Sequence, residues 1–221
     1  MERHQVLARL NETHYAYQQA LKSSDKLIAL SQLQTATLTE SMQRQPEIDC
    51  RNGCAKCCNI RVMVFPHEAV AMYFYIKAKL SKAQQVVIEE RLHQSADKIA
   101  AMTEQEHLTT NVPCPMLIAE SCSVYPARSL ACAGYHSTDV KQCVQSYKTP
   151  TDLSGFIPQL KNVQQMQQQL VGISYQVLQQ NKAAADKVEM IGALSAIFRQ
   201  PSLINKWKRG RAMFKLTLKQ H

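Results

Sequence analysis

Eight cysteines are the residues of this sequence that are best suited to chemistry, and their spacing is uneven. Thiolates are soft ligands for zinc and iron–sulfur clusters, and a two-residue gap such as Cys54–Cys57 lets one turn direct both sulfurs at a metal. Cysteines that served as small core residues would also occur in the helical parts of the chain. The sequence therefore predicts a metal centre whose ligands lie in loops. The eight are Cys50, Cys54, Cys57, Cys58, Cys114, Cys122, Cys132 and Cys143.

The adjacent pair Cys57 and Cys58 requires two different roles, because neighbouring side chains of extended backbone point to opposite faces. One sulfur is predicted to bind the metal, while its neighbour faces a second metal, packs, or stays a reactive thiol. The sequence leaves open which cysteine does which. Five cations are close enough in sequence to offset the negative charge of thiolate ligands, and the equal alternative is that they are exposed loop charges: Arg51, Lys56, Arg61, Arg128 and Lys141.

The cysteine pattern resembles the CxxCxxCC family of zinc- or iron-chelating, Fe–S-containing proteins. Members of that family have a first cluster that ends in paired cysteines, then Cys-Pro-x-Leu, then a segment like Cys-x-Ile-Tyr-x-x-Arg-Pro-x-x-Cys. The matching elements here are residues 50–58, 114–117 and 122–132, in the same order. The resemblance implies that all eight cysteines are metal-binding positions, with Cys143 the eighth. It implies a zinc ion or an iron–sulfur cluster as cofactor, with [4Fe–4S] expected if the metal is iron.

The sequence departs from the family pattern at two places. The first gap between cysteines holds three residues, which the permissive backbone of Gly53 is expected to accommodate. Ser129 replaces the usual proline after the arginine, and this change is expected to loosen the turn without removing a ligand.

Four further side chains extend the candidate site. His136 lies four residues beyond Cys132, and His67 begins the helix after the first cluster, so either is placed to complete a mixed Cys/His site. Arg128 and Tyr125 lie on the family pattern. The guanidinium is able to hydrogen-bond a thiolate or carboxylate near the metal, whereas the tyrosine either supports the site or packs in the core.

Composition restricts the class of protein. The chain has 221 residues but only 6 glycines, which argues against barrels, sandwiches and glycine-rich phosphate loops. Its longest apolar run, residues 69–76, is far shorter than the roughly 18–20 residues that span a bilayer. The N-terminus lacks the apolar segment of a secretory signal. We therefore expect a soluble, cytoplasmic protein, in which clustered cysteines favour metal binding over disulfides.

The hydrophobic periodicity predicts a mainly α protein with an irregular, cysteine-rich metal-binding core assembled from two loops. We expect three parts: an N-terminal helical arm over 1–45, the metal-binding core over 46–150, and a C-terminal helical region with a basic tail over 151–221. The arm is expected to divide near residues 22–25, with Asp25 or a serine as the helix cap.

Within the core, residues 60–65 are predicted to be extended and Pro66 to open a helix. A second helix, with a capping box at Ser81, is predicted to run to about His107. Residues 109–150 are predicted to be irregular. Further helices are predicted over 157–180 and 186–199, and a last one from Pro201.

The C-terminal part is basic, with no acidic residue from Met190 onward. Such a tail is able to contact nucleic acid, anionic lipid or an acidic partner, and the other interpretation is a solvated helix face. Four apolar residues among these charges are predicted to pack on something: Trp207, Phe214, Leu216 and Leu218. The basic residues are Arg199, Lys206, Lys208, Arg209, Arg211, Lys215 and Lys219.

Other functions share parts of this pattern. The spacing Cys50-x3-Cys54-x2-Cys57 also binds the cluster of radical S-adenosylmethionine enzymes, but Lys56 stands where an aromatic residue is common and a barrel pattern is missing. A weaker resemblance to flagellin lysine methylases keeps methyl transfer as an alternative, together with an Fe–S-dependent oxidoreductase. Cys58 lacks an identifiable His/Asx partner for nucleophilic catalysis. A zinc-stabilised nucleic-acid-binding module is the remaining class. The sequence favours metal binding without an assigned reaction.

Overall fold

The structure is a computed structural model that describes residues 3–20, 22–51 and 53–211. Over these residues the chain forms ten α-helices and four two-residue strands, which confirms the predicted mainly α class. The helices are α1 Arg3–Ala20, α2 Ser24–Gln43, α3 Pro66–Lys79, α4 Lys82–Ala100, α5 Glu104–Leu108, α6 Leu130–Gly134, α7 Val140–Lys148, α8 Lys161–Gln180, α9 Met190–Arg199 and α10 Leu203–Lys208. The strands are β1 Met63–Val64, β2 Leu117–Ile118, β3 Ser121–Cys122 and β4 Val188–Glu189.

The N-terminal helices divide where the sequence predicted. Ser23 is the N-cap of α2, and its hydroxyl accepts a hydrogen bond from the Lys26 N–H at 3.3 Å. Asp25 lies in the first turn, where its charge is favourable to the helix dipole. The predicted division by a serine cap is therefore confirmed.

The central helices agree with the prediction at their starts but not at their end. Pro66 is the first residue of α3, and Ser81 forms a capping box with Gln84 at the start of α4, as predicted. The predicted continuation of α4 to about His107 is wrong. Thr103 forms a second capping box with Glu106 and begins α5 after a break.

The prediction of an irregular segment over 109–150 was only partly correct. Two short strands, β2 and β3, are paired there, but α6 and α7 follow them and carry Cys132 and Cys143. The expectation that the cysteines lie only in loops is therefore wrong. Side chains cap both helices: Ser129 accepts from the Cys132 N–H at 3.2 Å, and Asp139 accepts from the Lys141 N–H at 2.8 Å.

Two predicted C-terminal helices begin later than expected. α8 starts at Lys161 rather than at residue 157, two residues beyond the sequence Pro158-Gln159. Residues 186–189 are not helical, because β4 pairs antiparallel with β1 and Glu189 caps α9 by accepting from the Ile191 and Gly192 N–H groups. The last helix begins at Leu203, shortly after Pro201.

The main core lies where α9 packs against α3 and α4, and α2 also packs against α3. Trp207 of α10 is fully buried in this core, so its predicted packing is confirmed. The predictions for Phe214, Lys215, Leu216, Leu218 and Lys219 lie outside the described residues. A second buried cluster joins α2, α6 and α8 through Leu38, Leu130 and Leu170. Among the described helices, none has the length and apolar character needed to cross a membrane.

Candidate metal centre

Two parts of the chain carry the cysteines: the first cysteine segment, residues 50–58, and the second cysteine segment, residues 114–143. Helices α3, α4 and α5 separate them in sequence, but backbone hydrogen bonds join them in space. The Cys114 N–H donates to the Cys58 carbonyl at 2.8 Å, and the Val112 N–H donates to the Asn59 carbonyl at 2.9 Å. The fold therefore brings the end of the first segment against the start of the second.

The beginning of the first segment is joined to the far end of the second. The Asp49 N–H donates to the Ser137 carbonyl at 2.9 Å, and the Ser137 N–H donates to the Cys50 sulfur at 3.3 Å. The Asp49 carboxylate in turn accepts from the Val140 N–H at 3.1 Å. An N–H···S hydrogen bond favours the thiolate over the thiol, so this contact is suited to a metal-binding sulfur.

Within the first segment, the predicted role of Gly53 is confirmed. Its φ of +84° lies in the left-handed region, which other residues adopt only with strain. The turn continues with a hydrogen bond of 3.0 Å from the Cys54 N–H to the Arg51 carbonyl. A short 3₁₀-helix, Lys56–Asn59, then carries Cys57 and Cys58.

Three cysteines, which we call the inner cysteines, pack against the main core: Cys114, Cys122 and Cys132. The β2–β3 pair holds two of them together, because Leu117 pairs with Cys122 and the Leu117 N–H bonds the Cys114 carbonyl at 3.1 Å. The Cys132 side chain is held nearby by α6, whose Leu130 and Ala133 are anchored in the second cluster.

The environment of the inner cysteines opposes the charged form of each thiol. Burial raises the pKa of all three thiols, to about 11 for Cys132. The negative charge of Cys122 raises the pKa of Cys114 and of Cys132 further. Hydrogen bonds act in the opposite direction: the backbone at Met116 and at Val124 lowers the pKa of Cys114 and Cys122, respectively. The inner thiols are thus desolvated but already have donors near their sulfurs.

Three other cysteines, which we call the outer cysteines, lie toward solvent: Cys50, Cys54 and Cys143. Burial also raises the pKa of Cys50 and of Cys143, and both feel the negative charge of Cys54 and Cys57. The Ser137 side chain offsets part of this effect at Cys143 by a hydrogen bond. The outer cysteines therefore come from both segments and share one neighbourhood.

Cys57 lies between the inner and outer cysteines. Its pKa is raised by a hydrogen bond with the Cys58 side chain and then by burial, while the positive charge of Arg128 lowers it. Cys57 contributes to the raised pKa of Cys122 and Cys132 as well as to that of Cys50 and Cys143. The Cys57–Cys58 pair is thus the place where the two groups of thiols meet.

Arg128 belongs to the second segment, and contacts of both its backbone and its side chain hold it in place. Its carbonyl accepts from the Thr35 hydroxyl of α2 at 3.2 Å, and its Nε donates to the Tyr125 carbonyl at 3.2 Å. The guanidinium stacks on the Tyr125 ring, with Cζ 3.7 Å from the ring centroid. Tyr125 is 47% exposed, so it supports the arginine rather than filling the core.

Ser129, which stands where the family pattern has proline, makes contacts of its own, and the expectation that it loosens the turn stays a prediction. The side chain is fully buried, and besides capping α6 it hydrogen-bonds Cys132 and lowers the pKa of that thiol. A proline at this position would have no hydroxyl for either contact.

The two histidines that were predicted as possible ligands form hydrogen bonds and ring contacts within the fold. His136 is buried, with Nδ1 2.8 Å from the Gly134 carbonyl and Nε2 accepting from the Leu160 N–H at 2.8 Å. His67 is buried between Tyr17, which bonds its Nε2, and the rings of Phe65 and Trp207. Burial lowers the pKa of His67 to about 3, so it stays neutral at physiological pH.

The cysteines are close but do not form a finished ligand set. All eight are free thiols, and Cys50 is exposed whereas the others are partly buried. Among the described residues, no three Cys, His, Asp or Glu side chains meet in an arrangement that could hold a metal ion directly. The thiol donors are nevertheless those of a zinc or iron–sulfur site. Two buried polar atoms without a partner, Ser123 Oγ and Arg128 Nη2, lie in the loop between Cys122 and Cys132.

The arrangement of the two segments agrees with one family. Residues 49–154 match the model of the CxxCxxCC family, whose description is "Putative zinc- or iron-chelating domain". This segment is a CxxCxxCC domain. No curated protein and no solved structure matches the chain. The CxxCxxCC domain ends shortly after α7, and α8 to α10 lie beyond it.

Sequence reasoning missed several residues that shape the CxxCxxCC domain. Glu68 of α3 is buried and accepts from the Leu130 N–H at 2.6 Å and from the Phe65 N–H at 2.7 Å, linking the second cysteine segment to the central helices. Tyr135 lies near the outer cysteines, and burial followed by their charge raises its pKa to about 12. Only the position of Glu68, two residues after Pro66, gave a sequence signal, and it pointed to a helix cap.

The basic tail is described as far as Arg211. Arg199 forms an ion pair of 2.8 Å with Asp97 of α4, while Lys206, Lys208, Arg209 and Arg211 are exposed. Contact of this tail with nucleic acid or an acidic partner stays a prediction from the sequence.

Proposed function

We propose that the CxxCxxCC domain binds zinc or an iron–sulfur cluster through thiolates of both cysteine segments. One observation carries the proposal: hydrogen bonds join the two cysteine segments at both ends, where the Cys114 N–H donates to the Cys58 carbonyl at 2.8 Å and the Ser137 N–H donates to the Cys50 sulfur at 3.3 Å. The proposed ligand positions are Cys50, Cys54, Cys57, Cys58, Cys114, Cys122, Cys132 and Cys143. The proposed metal-binding core is residues 46–150.

The electrostatics of the site give a reason for a metal. Burial and mutual repulsion make several thiolates costly to form together, whereas a divalent cation or cluster offsets their charge and displaces the protons. Without a cation, the raised pKa values keep these thiols protonated and neutral. N–H donors near Cys50 and Cys114 fit the same interpretation, since metal-bound thiolates accept such hydrogen bonds.

Coordination requires the sulfurs to move closer than they are in this arrangement. Cys50, Cys54 and Cys114 lie in loops, and the other cysteines lie on one two-residue strand, a 3₁₀-helix and two short helices. Of these elements, α7 has no buried residue. Elements with few buried contacts change position at lower cost than core helices. We therefore expect the second segment, and α7 in particular, to adjust when the metal binds.

His136 and His67 are not part of the proposed ligand set. Both nitrogens of His136 already hold hydrogen bonds that fix the loops before α8, and His67 is enclosed by aromatic rings. Releasing either ring would leave buried polar groups without partners, which costs about 1–3 kcal/mol each. The ligand set is therefore all cysteine, which suits a zinc ion or a [4Fe–4S] cluster equally.

The test is anaerobic purification followed by an absorption spectrum with zinc, iron and sulfide analysis of the same sample. An iron–sulfur cluster gives brown protein absorbing near roughly 400 nm, whereas zinc gives a colourless sample. Cys57→Ser is expected to lose most of the metal, because this thiol lies between the inner and outer cysteines. Ser121→Ala, beside Cys122, is the matched control and is expected to keep it. Wild-type protein with reactive thiols that holds neither zinc nor iron when both are supplied would contradict the proposal.

A further inference from the structure

The loop between Cys122 and Cys132 contains a buried donor that the fold itself does not use. Of the described side chains, five have a buried nitrogen or oxygen without a hydrogen-bond partner, and two of these, Ser123 and Arg128, lie in this loop. A buried unpartnered polar atom costs about 1–3 kcal/mol, and more when it is charged. The burial of Arg128 Nη2 therefore costs free energy, and a hydrogen bond from this nitrogen to a bound group would remove that cost.

The position of the Arg128 guanidinium is fixed from several sides. Ser31 and Thr35 of α2 donate to its carbonyl at 3.5 and 3.2 Å, Nε donates to the Tyr125 carbonyl, and the Tyr125 ring covers one face. These contacts hold the side chain without using Nη2. The unused nitrogen is thus the fixed end of an anchored side chain rather than the end of a mobile one.

The charge of Arg128 acts on thiols from both cysteine segments. Arg128 lies in the loop that joins two of the inner cysteines, Cys122 and Cys132, and its charge also reaches Cys57 of the first segment. Arg61, whose Nε is also buried without a partner, is instead paired through Nη1 with Glu104 at 2.7 Å, and Lys56 lies 4.7 Å over the Tyr147 ring. Arg128 is therefore the cation that lies where the first segment meets the inner cysteines.

We infer that Arg128 Nη2 donates a hydrogen bond to metal-bound sulfur at the junction of Cys57 with the inner cysteines. This inference depends on the proposed metal-binding function and adds a donor that is not itself a ligand. A hydrogen bond from a guanidinium to a thiolate spreads the negative charge of the sulfur and stabilises the bound form. Arginine suits the role because its planar group stays charged and presents several N–H donors in a fixed geometry.

The test compares wild-type protein with Arg128→Gln, Arg128→Lys and Lys148→Gln, each purified with its metal. The first readout is the rate at which metal passes to excess EDTA. Arg128→Gln is expected to lose metal about 10–100-fold faster, the usual effect of removing a supporting group. Arg128→Lys keeps the charge and is expected to recover part of the loss. Lys148→Gln removes an exposed charge in the last turn of α7, the helix that carries Cys143, and is expected to stay within about twofold of wild type.

A second readout separates hydrogen bonding to sulfur from general support of the loop. Each variant is loaded with Co²⁺, and the thiolate-to-cobalt charge-transfer band is recorded together with the far-ultraviolet circular dichroism. Arg128→Gln is expected to shift this band while the helical signal stays unchanged. Transfer rates and bands equal to wild type in both Arg128 variants would overturn the inference and leave metal binding intact. Wild-type protein that binds no metal would overturn the inference and the proposed function together.

Discussion

The two cysteine segments and the central helices between them are held by different forces. Helices α3, α4 and α9 bury side chains such as Ile76, Leu92 and Leu194 completely, and each large apolar side chain contributes about 1.5–3 kcal/mol. The cysteine segments are joined mainly by single hydrogen bonds between loops, as from Cys114 to Cys58. The central helices are thus stabilised by many buried apolar side chains, whereas the cysteine segments bury fewer large ones, chiefly Met116 and Leu130.

The central helices and the cysteine segments therefore have different roles. The central helices fix the positions from which both segments emerge, since α3 follows the first and α4 and α5 precede the second. The segments then supply thiols but little packing. In the proposed function the metal provides the missing stabilisation, so the region with the weakest packing is the one that gains most from binding.

Removal of the metal is expected to have the largest effect and to separate the two regions. Structural zinc contributes about 10–16 kcal/mol in zinc-finger peptides, so chelation is expected to remove protection throughout both cysteine segments. Helices α3, α4 and α9 are expected to keep theirs. Hydrogen exchange measured by mass spectrometry, before and after anaerobic treatment with chelator, follows both regions in one experiment. Equal loss of protection in α4 and in residues 114–143 would contradict the division.

A cavity in the central helices is expected to have the second largest effect. Leu92 of α4 is fully buried, and Leu92→Ala is expected to lower the free energy of unfolding by about 2–5 kcal/mol. Metal content per folded molecule is expected to stay unchanged, because the cysteine donors are untouched. Urea unfolding with metal analysis measures both quantities. Leu7→Ala on α1, where the side chain is 52% exposed, is the control and is expected to change stability by less than about 0.5 kcal/mol.

The Glu68 carboxyl couples the two regions and is expected to make stability depend on pH. Burial raises its pKa to about 7 from an ordinary value of 4.5, despite hydrogen bonds from Leu130 and Phe65 that oppose the shift. Between these values the folded protein holds a proton that the unfolded chain has released, so the free energy of unfolding falls as pH rises. The contribution is about 3 kcal/mol across this window.

The matched variant is Glu68→Gln, which resembles the protonated acid and cannot ionise. Urea unfolding of both proteins at several values between pH 5 and pH 8 gives the difference in stability, in which other titrating groups cancel. Wild type is expected to lose about 3 kcal/mol relative to the variant over this range. A difference that stays constant with pH would show that the folded and unfolded states ionise this carboxyl alike.

Local patterns in the sequence predicted much of the fold, because caps act over three or four residues. Ser23, Pro66 and Ser81 each begin a helix as predicted. The predictions failed where distant contacts decide: the predicted helix from residue 186 begins only at Met190, because Val188 and Glu189 pair with β1 as strand β4. The end of α4 was a local failure, since Thr103 and Glu106 formed a capping box that the longer apolar pattern concealed.

The candidate site was predictable in its donor types but not in its arrangement. Spacing identified the cysteines as chemically relevant, and the resemblance to the CxxCxxCC family identified Arg128. It gave no indication that Cys57 would lie between two groups of thiols, since that depends on contacts between segments. The sequence also gave no indication that His136 accepts a hydrogen bond from the Leu160 N–H, because Leu160 lies beyond the cysteine-rich region.

The pairing of β1 with β4 has a consequence for the order in which the protein is completed. Met63, just after the first cysteine segment, pairs with Glu189, so this clamp forms only after most of the chain has left the ribosome. Pairing across such a separation is also slow, because a long loop must close first. The first cysteines are therefore synthesised before β1, the strand that follows them, is able to pair. The strand that secures β1 is made only after every cysteine of both segments, so the cysteine region is complete in sequence before it is fixed on this side.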